Sequence, residues 1–502
     1  MPGEPTALSA SLAQMLALDP DAPVIEFRGA WRTWGQLAAT AEAVRGHVPG
    51  PGIRVGVLLR NAPAHIGLLT GLLLAGACVV TINPGRGEDR VRADVVGLGV
   101  PILAGTPADL AAFAPQDTDG TAPLLLAATD LGEPVSASGK PSSGPLLAGL
   151  PDSAASRRGV AVEMLTSGTT GPPKRVPLGY EMLTRVLVGA KYYEGDAGQA
   201  PRLRSGTAIV NAPLVHLGGL FRVLQCLSDG RPFCLLERFT VEDWADAVRR
   251  HRPRTASLVP AALRMVLDAD LDPDDLRSLR SVVSGTAPLA PETADAFQAK
   301  YGIPVLVSYA ATEFGGGVAG WNLADHQRFW AAKRGSVGRA HPGCELRVVD
   351  AGSGEPVPPG TEGLLEVRAH QLDSDGWVRT TDLARIDSDG FVWIVGRADQ
   401  VIIRGGFKVH PDPVRAALER DPRVLAAAVI GRDDPRLGQV PVAAVELRPG
   451  AGPVTAGELR DGASRLLARY ELPAQIRVID ALPRTPSGKV DLMAVQRLFA
   501  TH

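Results

Sequence analysis

The 502-residue sequence has few cysteines, few aromatic residues and no excess of either charge. Its four cysteines show no CxxC spacing, which argues against a disulfide scaffold and against a zinc site. Lysine and arginine total 52 and aspartate and glutamate total 54, so no globally basic surface is available for nucleic acid. These absences favour a reduced, cytoplasmic protein with a small-molecule partner and no nucleic-acid partner.

The sequence also lacks a clear secretory signal and a clear membrane span. At the N-terminus no basic stretch is followed by an apolar one. The most apolar run, Ile66 to Asn83, contains three glycines and breaks at Asn83-Pro84-Gly85. We expect a buried helix that leads into a strand at Cys78–Ile82, and no integral membrane segment.

Short β-rich runs alternate with helical patterns through most of the chain, and this alternation predicts an α/β fold. Examples are "IRVGVLL" before "APAHIGLLTGLLLAG" and "TAIVNAP" before "GGLFRVLQCL". Such order is typical of βαβ units with mostly parallel sheets. The middle of Thr106–Arg158, rich in Pro, Gly, Ser and Ala, is expected to be irregular. After Arg339, short strands separated by Gly and Asp predict a small antiparallel β subdomain.

The C-terminal part of the sequence has the pattern of a separate α+β domain. A short polar, charged stretch near Asp399 lies between two β units, so we place the domain boundary there. The predicted domains are residues 1–398, a large N-terminal domain of βαβ-type sheets, and residues 399–502, a small C-terminal domain.

The stretch "MLTSGTTGPPKRVPL", Met164 to Leu178, has the composition of a phosphate-binding loop but fails the Walker pattern. Two prolines stand between Gly171 and Lys174, and strand-like runs flank the loop on both sides. Phosphate oxygens would be bound by backbone N–H groups and hydroxyls, with Lys174 adding a positive charge. The groups concerned belong to Thr166, Ser167, Gly168, Thr169, Thr170 and Gly171. The alternative is a solvent-exposed polar turn.

This loop and further motifs in the same order resemble the adenylate-forming superfamily, which includes acyl-CoA synthetases, peptide-synthetase adenylation domains and firefly luciferase. The other motifs are "NAPLVHLGG", "VVSGTAPLAPE", "SYAATEFGG", "WVRTTDLARIDSDGFVWIVGRADQVIIRGGFKVHP" and "LPRTPSGKVD". The resemblance covers Thr33 to Lys489 and is greatest to bacterial acyl-CoA synthetases. It implies ATP-dependent conversion of a carboxylic acid to acyl-AMP, release of pyrophosphate, and transfer of the acyl group to CoA.

The resemblance also implies a nucleotide site and a magnesium ligand. Asp382 would accept hydrogen bonds from the ribose hydroxyls, and Arg397 would donate nearby. Glu313, beside Thr312, would bind Mg²⁺. The adenine would lie against Gly285, Thr286, Ala287 and Tyr309. In the structural alternatives, Asp382 caps a turn, Arg397 forms a surface ion pair and Glu313 is a surface glutamate. The segment from Gly285 to Ala287 is then a core turn, and Tyr309 is a core tyrosine.

The catalytic residues implied by the resemblance are Lys489, Thr312, Glu313 and His216. Lys489 would reach the carboxylate and the α-phosphate, where its charge stabilises the transition state. His216 would border the acyl pocket, although a lone histidine is more often a core residue.

The resemblance further implies a mobile C-terminal domain. That domain would rotate about Asp399, after which Gly405 and Gly406 would line a tunnel for the thiol of CoA. An ordinary hairpin glycine pair is the alternative for these two residues.

Several positions differ from the usual motif sequences of the family. Ala310 and Val215 bear on the acid pocket, where Val215 and the run Gly315 to Gly317 hint at room for a medium chain or an aromatic ring. Gln439 and Pro413 stand near the expected thiol tunnel, at positions where the family frequently has glutamate, so these departures bear on the thiol step and not on adenylation.

Three functions remain open from the sequence. The first is an acid–CoA ligase that uses ATP, Mg²⁺ and CoA. The second is a stand-alone adenylating enzyme whose acceptor is an amine or a free acyl-carrier protein, or whose activated group is an oxyanion such as nitrite. The third is an inactive nucleotide-binding protein. A homodimer is also left open.

Overall fold

The computed structural model describes residues 6–115, 122–139, 156–166, 174–193, 200–372, 376–485 and 489–500. Two compact units make up the chain. The first comprises Met1–Thr166, Lys174–Gly317 and His370–Asp373, and the second comprises Ser167–Pro173, Val318–Ala369 and Ser374–His502. The predicted domain boundary near Asp399 stays a prediction.

The first unit is built around a mainly parallel sheet. Its strands are β3 (Arg54–Leu58), β4 (Cys78–Ile82), β5 (Ile102–Gly105), β6 (Leu124–Ala127), β7 (Ser136–Ser138), β8 (Val160–Thr166) and β9 (Lys174–Gly179). They lie in the order β7-β6-β5-β3-β4-β8-β9, and only the two edge strands, β7 and β9, run antiparallel to their neighbours. Every residue of β3 and β4 is buried, as expected of a central parallel sheet covered on both faces.

Two further groups of strands belong to the first unit. The strands β10 (Ala208–Val210), β11 (Phe233–Leu235), β1 (Pro23–Phe27) and β2 (Ala30–Thr33) form one sheet in that order. The strands β12 (Thr255–Ser257), β13 (Ser281–Ser284) and β14 (Val305–Ala311) are parallel neighbours. The alternating pattern of the sequence therefore predicted the α/β class correctly.

Helices connect and cover these strands. They are α1 (Ala7–Leu16), α2 (Trp34–Gly46), α3 (Pro63–Leu74), α4 (Glu88–Leu98), α5 (Pro107–Phe113), α6 (Tyr180–Tyr193), α7 (Leu217–Ser228), α8 (Val241–His251), α9 (Pro260–Asp268), α10 (Pro273–Leu276) and α11 (Pro291–Tyr301). The sequence of α3 is apolar on all sides, and its residues Pro63 to Leu73 are all buried. This confirms the expected buried helix before β4, and no helix in the described ranges is long and apolar enough to cross a bilayer.

The second unit contains an antiparallel sheet and a mixed sheet. The first is β17 (Cys344–Val349), β18 (Gly363–Ala369), β19 (Val378–Ile386) and β20 (Val392–Arg397), in chain order. The other has the order β22-β21-β24-β23, from β21 (Ile402–Arg404), β22 (Phe407–Val409), β23 (Val424–Asp434) and β24 (Gly438–Leu447), with β25 (Gln475–Ile479) parallel to β24. The strands β15 (Gly316–Gly320) and β16 (Arg339–Ala340) pair antiparallel through Ala319 and Gly320. The helices are α12 (Leu323–Phe329), α13 (Pro411–Leu418), α14 (Ala456–Ser464) and α15 (Leu492–Phe499).

The expectation of an irregular middle between Thr106 and Arg158 is wrong at residues 124–127 and 136–138, and residues 116–121 and 140–155 lie outside the described residues. Strand β6 forms there and pairs in parallel with β5, and β7 pairs with β6. The apolar run "LLLA" is short, but a neighbouring buried strand supplies the hydrogen bonds that make it a strand.

Candidate active site

The suspected phosphate loop joins two antiparallel strands, as predicted. In the register of β8 with β9, Thr166 lies opposite Lys174, which is exposed. The side chain of Thr166 and residues 167–173, including Ser167, Gly168, Thr169, Thr170 and Gly171, lie outside the described residues. Their binding of phosphate therefore stays a prediction, as does the role of Lys174.

A buried ion-pair network anchors the strand that leads into this loop, and sequence reasoning missed it. Glu163 of β8 is almost fully buried and contacts Arg54 at 2.9 Å and Arg157 at 2.9 Å. The sequence signal was a single charge inside each of two apolar strands, "IRVGVLL" and "VAVEML", because such charges are buried only when paired.

The strand that leaves the loop is held by Arg175. Its guanidinium donates to Asp94 at 3.0 and 2.9 Å and to the carbonyl of Thr81 at 2.9 Å. The side chain of Arg175 is mostly buried. Both strands that carry the loop are thus fixed to the parallel sheet by charged side chains.

The predicted adenine segment follows β13 at the carboxyl end of the parallel strands β12, β13 and β14. A Cβ atom on Gly285 would lie 2.7 Å from the Ser308 hydroxyl oxygen, so only glycine allows this approach to β14. Thr286 has φ of +71°, a left-handed conformation that is unfavourable for a β-branched residue. Thr286 and Ala287 are exposed. Strain of this kind is concentrated at functional sites.

The predicted Thr-Glu pair lies on a 3₁₀ turn, Thr312–Phe314, directly after β14. Tyr309 of β14 and Phe314 have ring centroids 6.4 Å apart, and Tyr309 is only partly buried. Glu313 is exposed, whereas Phe314 is buried. The turn therefore presents the carboxylate of Glu313 outward beside the end of the parallel strands, where ligands bind in open α/β sheets.

The residues present fit a magnesium ion of the kind that keeps water and binds substrate phosphates. Such an ion needs one or two carboxylates, and Glu313 offers one exposed carboxylate. Among the described residues, the only preformed group of potential metal ligands is Glu26, Cys234 and His251. Glu26 there already binds Arg250 at 2.5 Å and also His251, so we interpret this group as an ion-pair network.

His216 immediately precedes α7 as its N-cap residue and is partly buried. Its N–H donates to the carbonyl of Pro213 at 3.0 Å. A Cβ atom on Gly315 would meet Met182 at 2.6 Å and one on Gly316 would meet Val186 at 3.2 Å, so these glycines let α6 pack closely here. That the glycine run adds room to the acid pocket stays a prediction.

In the second unit, the predicted ribose residues face each other. Asp382 of β19 is paired in register with Arg397 of β20. The guanidinium of Arg397 donates to the Thr381 hydroxyl at 2.8 Å and to both carboxylate oxygens of Asp399 at 2.9 and 2.8 Å. The predicted ribose arginine and the predicted hinge residue are therefore joined.

Gly405 and Gly406 form the turn between β21 and β22, where Arg404 pairs with Phe407. Their φ angles are +56° and +87°, which is the requirement of a two-residue hairpin of type I′. The hairpin alone explains both glycines, and the thiol tunnel stays a prediction.

Lys489 is exposed and lies three residues before the start of α15. Its carbonyl accepts hydrogen bonds from the N–H of Thr485 at 2.7 Å and from the Thr485 hydroxyl at 3.1 Å. Asp491 caps α15 by accepting from the N–H of Ala494 at 3.0 Å. The carbonyl of Lys489 and the start of α15 are thus held by hydrogen bonds, and Lys489 itself is exposed.

Comparison with known proteins relates this arrangement to named enzymes. Residues 12–373 match the family "AMP-binding enzyme" and residues 414–489 match "AMP-binding enzyme C-terminal domain". A feruloyl-CoA synthase from Amycolatopsis is 30% identical over 502 residues, which cover 96% of this chain and 97% of that protein. An indoleacetate–CoA ligase from Aromatoleum aromaticum is 33% identical over 67% of this chain, and a 4-coumarate–CoA ligase-like protein from Arabidopsis thaliana is 32% identical over 66%. These two matches span only 66% and 61% of the relatives' own lengths.

Solved structures show the same fold. ATP-bound MatB from Rhodopseudomonas palustris has a TM-score of 0.80 at 23% identity, covering 98% of this chain and 99% of MatB. The amide bond synthetase McbA from Marinactinospora thermotolerans has a TM-score of 0.79 at 25% identity, covering 98% of this chain and 100% of McbA. With its two matching regions and a relative of similar length throughout, this chain belongs to the AMP-binding enzyme family.

Proposed function

We propose that this protein is an AMP-forming acid–CoA ligase. The observation that carries the proposal is the 30% identity to a feruloyl-CoA synthase over 96% of the chain. In the first half-reaction, a carboxylate oxygen attacks the α-phosphorus of ATP, acyl-AMP forms and pyrophosphate leaves. In the second, the thiolate of CoA attacks the acyl carbonyl, a thioester forms and AMP leaves.

The residues of this chain divide these tasks. Asp382 and Arg397 bind the ribose, and the segment from Gly285 to Ala287 with Tyr309 positions the base. Lys489 and Lys174 place positive charge at the phosphates, where negative charge develops as the bond to pyrophosphate breaks. A magnesium ion at Glu313 would neutralise phosphate charge when bound.

Between the first and the second half-reaction, the group beside the acyl carbonyl must change from Lys489 to the thiol of CoA. We propose that the C-terminal residues rotate about Asp399, which removes Lys489 and brings Gly405 and Gly406 to the thiol. The contact of Asp399 with Arg397 supports this assignment, since it connects the rotating backbone to a ligand of the nucleotide.

We propose an aromatic acid as the substrate class. Ferulate, 4-coumarate and indoleacetate occur in the names of the relatives, and those three acids share a ring and a carboxylate. We also propose a cytoplasmic location, which suits four buried cysteines that form no disulfide among the described residues.

The test is thioester formation by the purified protein with ATP, Mg²⁺, CoA and each of the three acids, followed by mass spectrometry. We expect an acyl-CoA product with one of them, and AMP release that depends on CoA. A product formed at full rate without CoA, such as an amide when an amine is supplied, would replace the ligase by an adenylating enzyme with another acceptor.

A further inference from the structure

A single buried asparagine connects three segments of the first unit. Asn61 follows β3 and is 7% exposed. Its side-chain amide donates to the carbonyl of Ala212 at 3.1 Å and to the carbonyl of Leu236 at 3.0 Å. Its side-chain oxygen accepts from the N–H of Leu214 at 2.8 Å. Asn61 thus satisfies two carbonyls and one amide that follow strands β10 and β11.

The segment that Asn61 holds leads directly to His216. Asn61 binds on both sides of Pro213, and the carbonyl of Pro213 accepts from the N–H of His216 at 3.0 Å. The His216 carbonyl in turn accepts from Gly219 and Leu220, each at 3.1 Å, in the first turn of α7. Movement of Pro213 would therefore move His216.

Two other contacts limit where this segment can lie. A Cβ atom on Gly219 would approach the carbonyl oxygen of Pro213 to 2.3 Å, so the helix and the segment are packed backbone to backbone. The Asn211 amide donates to the carbonyl of Ser257 at 3.0 Å, at the end of β12. The segment is thus held at the end of β12 and by Asn61, three residues after β3, and Asn61 supplies the bonds to its centre.

We propose that Asn61 is a positioning residue for the acid pocket: it holds residues 212–216 so that His216 borders the bound acid. This inference rests on the proposed function. Asn61 is suited to the task because an amide both donates and accepts, and here both actions are used. A carboxylate of the same shape can only accept.

The matched test is Asn61→Asp. It keeps an acceptor for Leu214 but turns an ionised oxygen toward the carbonyls of Ala212 and Leu236. We expect kcat/KM for the acid to fall by about tenfold or more, with KM for ATP changed by about twofold or less. The acid is whichever of ferulate, 4-coumarate and indole-3-acetate the wild type converts fastest. Ser9→Ala is the control, since it removes another buried hydrogen bond of the first unit, to the carbonyl of Leu73 at 2.8 Å.

A second measurement does not depend on activity. In protein labelled with ¹³C-histidine, the signal of His216 is identified by its loss in His216→Gln. We expect Asn61→Asp to shift that signal and Ser9→Ala to leave it unchanged. If Asn61→Asp does not fold, Asn61→Ser is measured in its place.

Equal losses in acid and ATP parameters, or a His216 signal that stays in place, would overturn the inference and leave Asn61 a purely structural residue. If the wild type converts none of the three acids, the proposed substrate class fails, while the His216 signal still tests Asn61.

Discussion

Asp382 and Arg397 lie directly opposite each other across the β19–β20 pair, and Arg397 also holds Asp399 through two hydrogen bonds. If Asp382 accepts hydrogen bonds from the ribose, an amide in its place leaves one acceptor oxygen and no charge. We therefore expect Asp382→Asn to raise KM for ATP by about tenfold, the equivalent of one hydrogen bond to a charged group. The measurement is ATP–pyrophosphate exchange at varied ATP, with Asp389→Asn, on the β19–β20 turn, as the control. An unchanged KM would remove Asp382 from the nucleotide site.

Lys489 is assigned to the adenylation step. Loss of one preorganised charge at a transition state typically costs about 10²-fold to 10³-fold in kcat. We expect Lys489→Ala to lower the rate of acyl-AMP formation by that factor and to leave the melting temperature unchanged, since Lys489 is exposed. The control variant is Lys300→Ala, which removes a partly buried lysine that pairs with Asp270. Full adenylation activity in Lys489→Ala would refute the assignment.

Because Thr286 has a left-handed backbone conformation, we expect its replacement by glycine to stabilise the folded protein and to weaken its function. Glycine adopts φ of +71° without steric cost, so we expect Thr286→Gly to raise the free energy of unfolding by about 1 kcal/mol. KM for ATP should rise in the same variant, because Thr286 is held at the proposed adenine segment. Ala287→Gly, one residue further on, should lower stability by about 0.5 to 1 kcal/mol. If denaturant unfolding showed that Thr286→Gly destabilises the protein, the claim that the backbone at Thr286 is strained would be contradicted.

Glu26 is a buried carboxylate, and its replacement should lower the free energy of unfolding considerably. It is 1% exposed and binds Arg250 and His251. Glu26→Gln therefore removes the anion that His251 binds and one of the two carboxylates that Arg250 binds, the other being Asp246. We expect a loss of about 3 kcal/mol in the free energy of unfolding. The control is Glu237→Gln, which breaks an exposed pair with Arg28 and should cost about 1 kcal/mol or less. Added zinc should change neither value, and stabilisation by zinc would instead identify a metal site with Cys234.

His65 predicts how stability depends on pH. Burial lowers the pKa of His65 from 6.5 to about 4, so the folded protein keeps this ring neutral. The unfolded chain takes up a proton below pH 6.5, and the contribution of His65 is therefore present above pH 6.5 and is lost as the pH falls toward 4. The expected loss is about 3 kcal/mol. His65→Leu should show a smaller loss over this interval in urea unfolding at each pH, and parallel curves for the two proteins would contradict the prediction.

Local sequence patterns predicted the helices and strands whose residues are all in the same environment, such as those buried on every side. The all-apolar α3 and the β-branched β4 were recognisable because burial on all sides leaves a continuous hydrophobic run. Strand β6 was missed because its pairing with β5 comes from residues far away in sequence. The stretch "TAGELRDGASRLLARY", Thr455 to Tyr470, has a helical pattern throughout, but helix α14 ends earlier, at Ser464. Helix ends depend on local caps and packing more than on the pattern of the helix itself.

The residues of the candidate site likewise divide into those that the sequence predicted and those that it did not. Residues such as Glu313, Asp382 and Lys489 could be predicted because their motifs resemble those of a known family. Asn61 and Arg175 were not found, because their importance comes from partners at Ala212, Leu236 and Asp94 that only the fold brings to them.

The central claim is that this chain activates a carboxylic acid by adenylation and then transfers it to CoA. Exchange of labelled pyrophosphate into ATP isolates the first step from the second. We predict exchange that requires ferulate, 4-coumarate or indole-3-acetate, proceeds without CoA and is lost in Lys489→Ala. Exchange that is absent with every acid, or that persists in Lys489→Ala, would contradict the account.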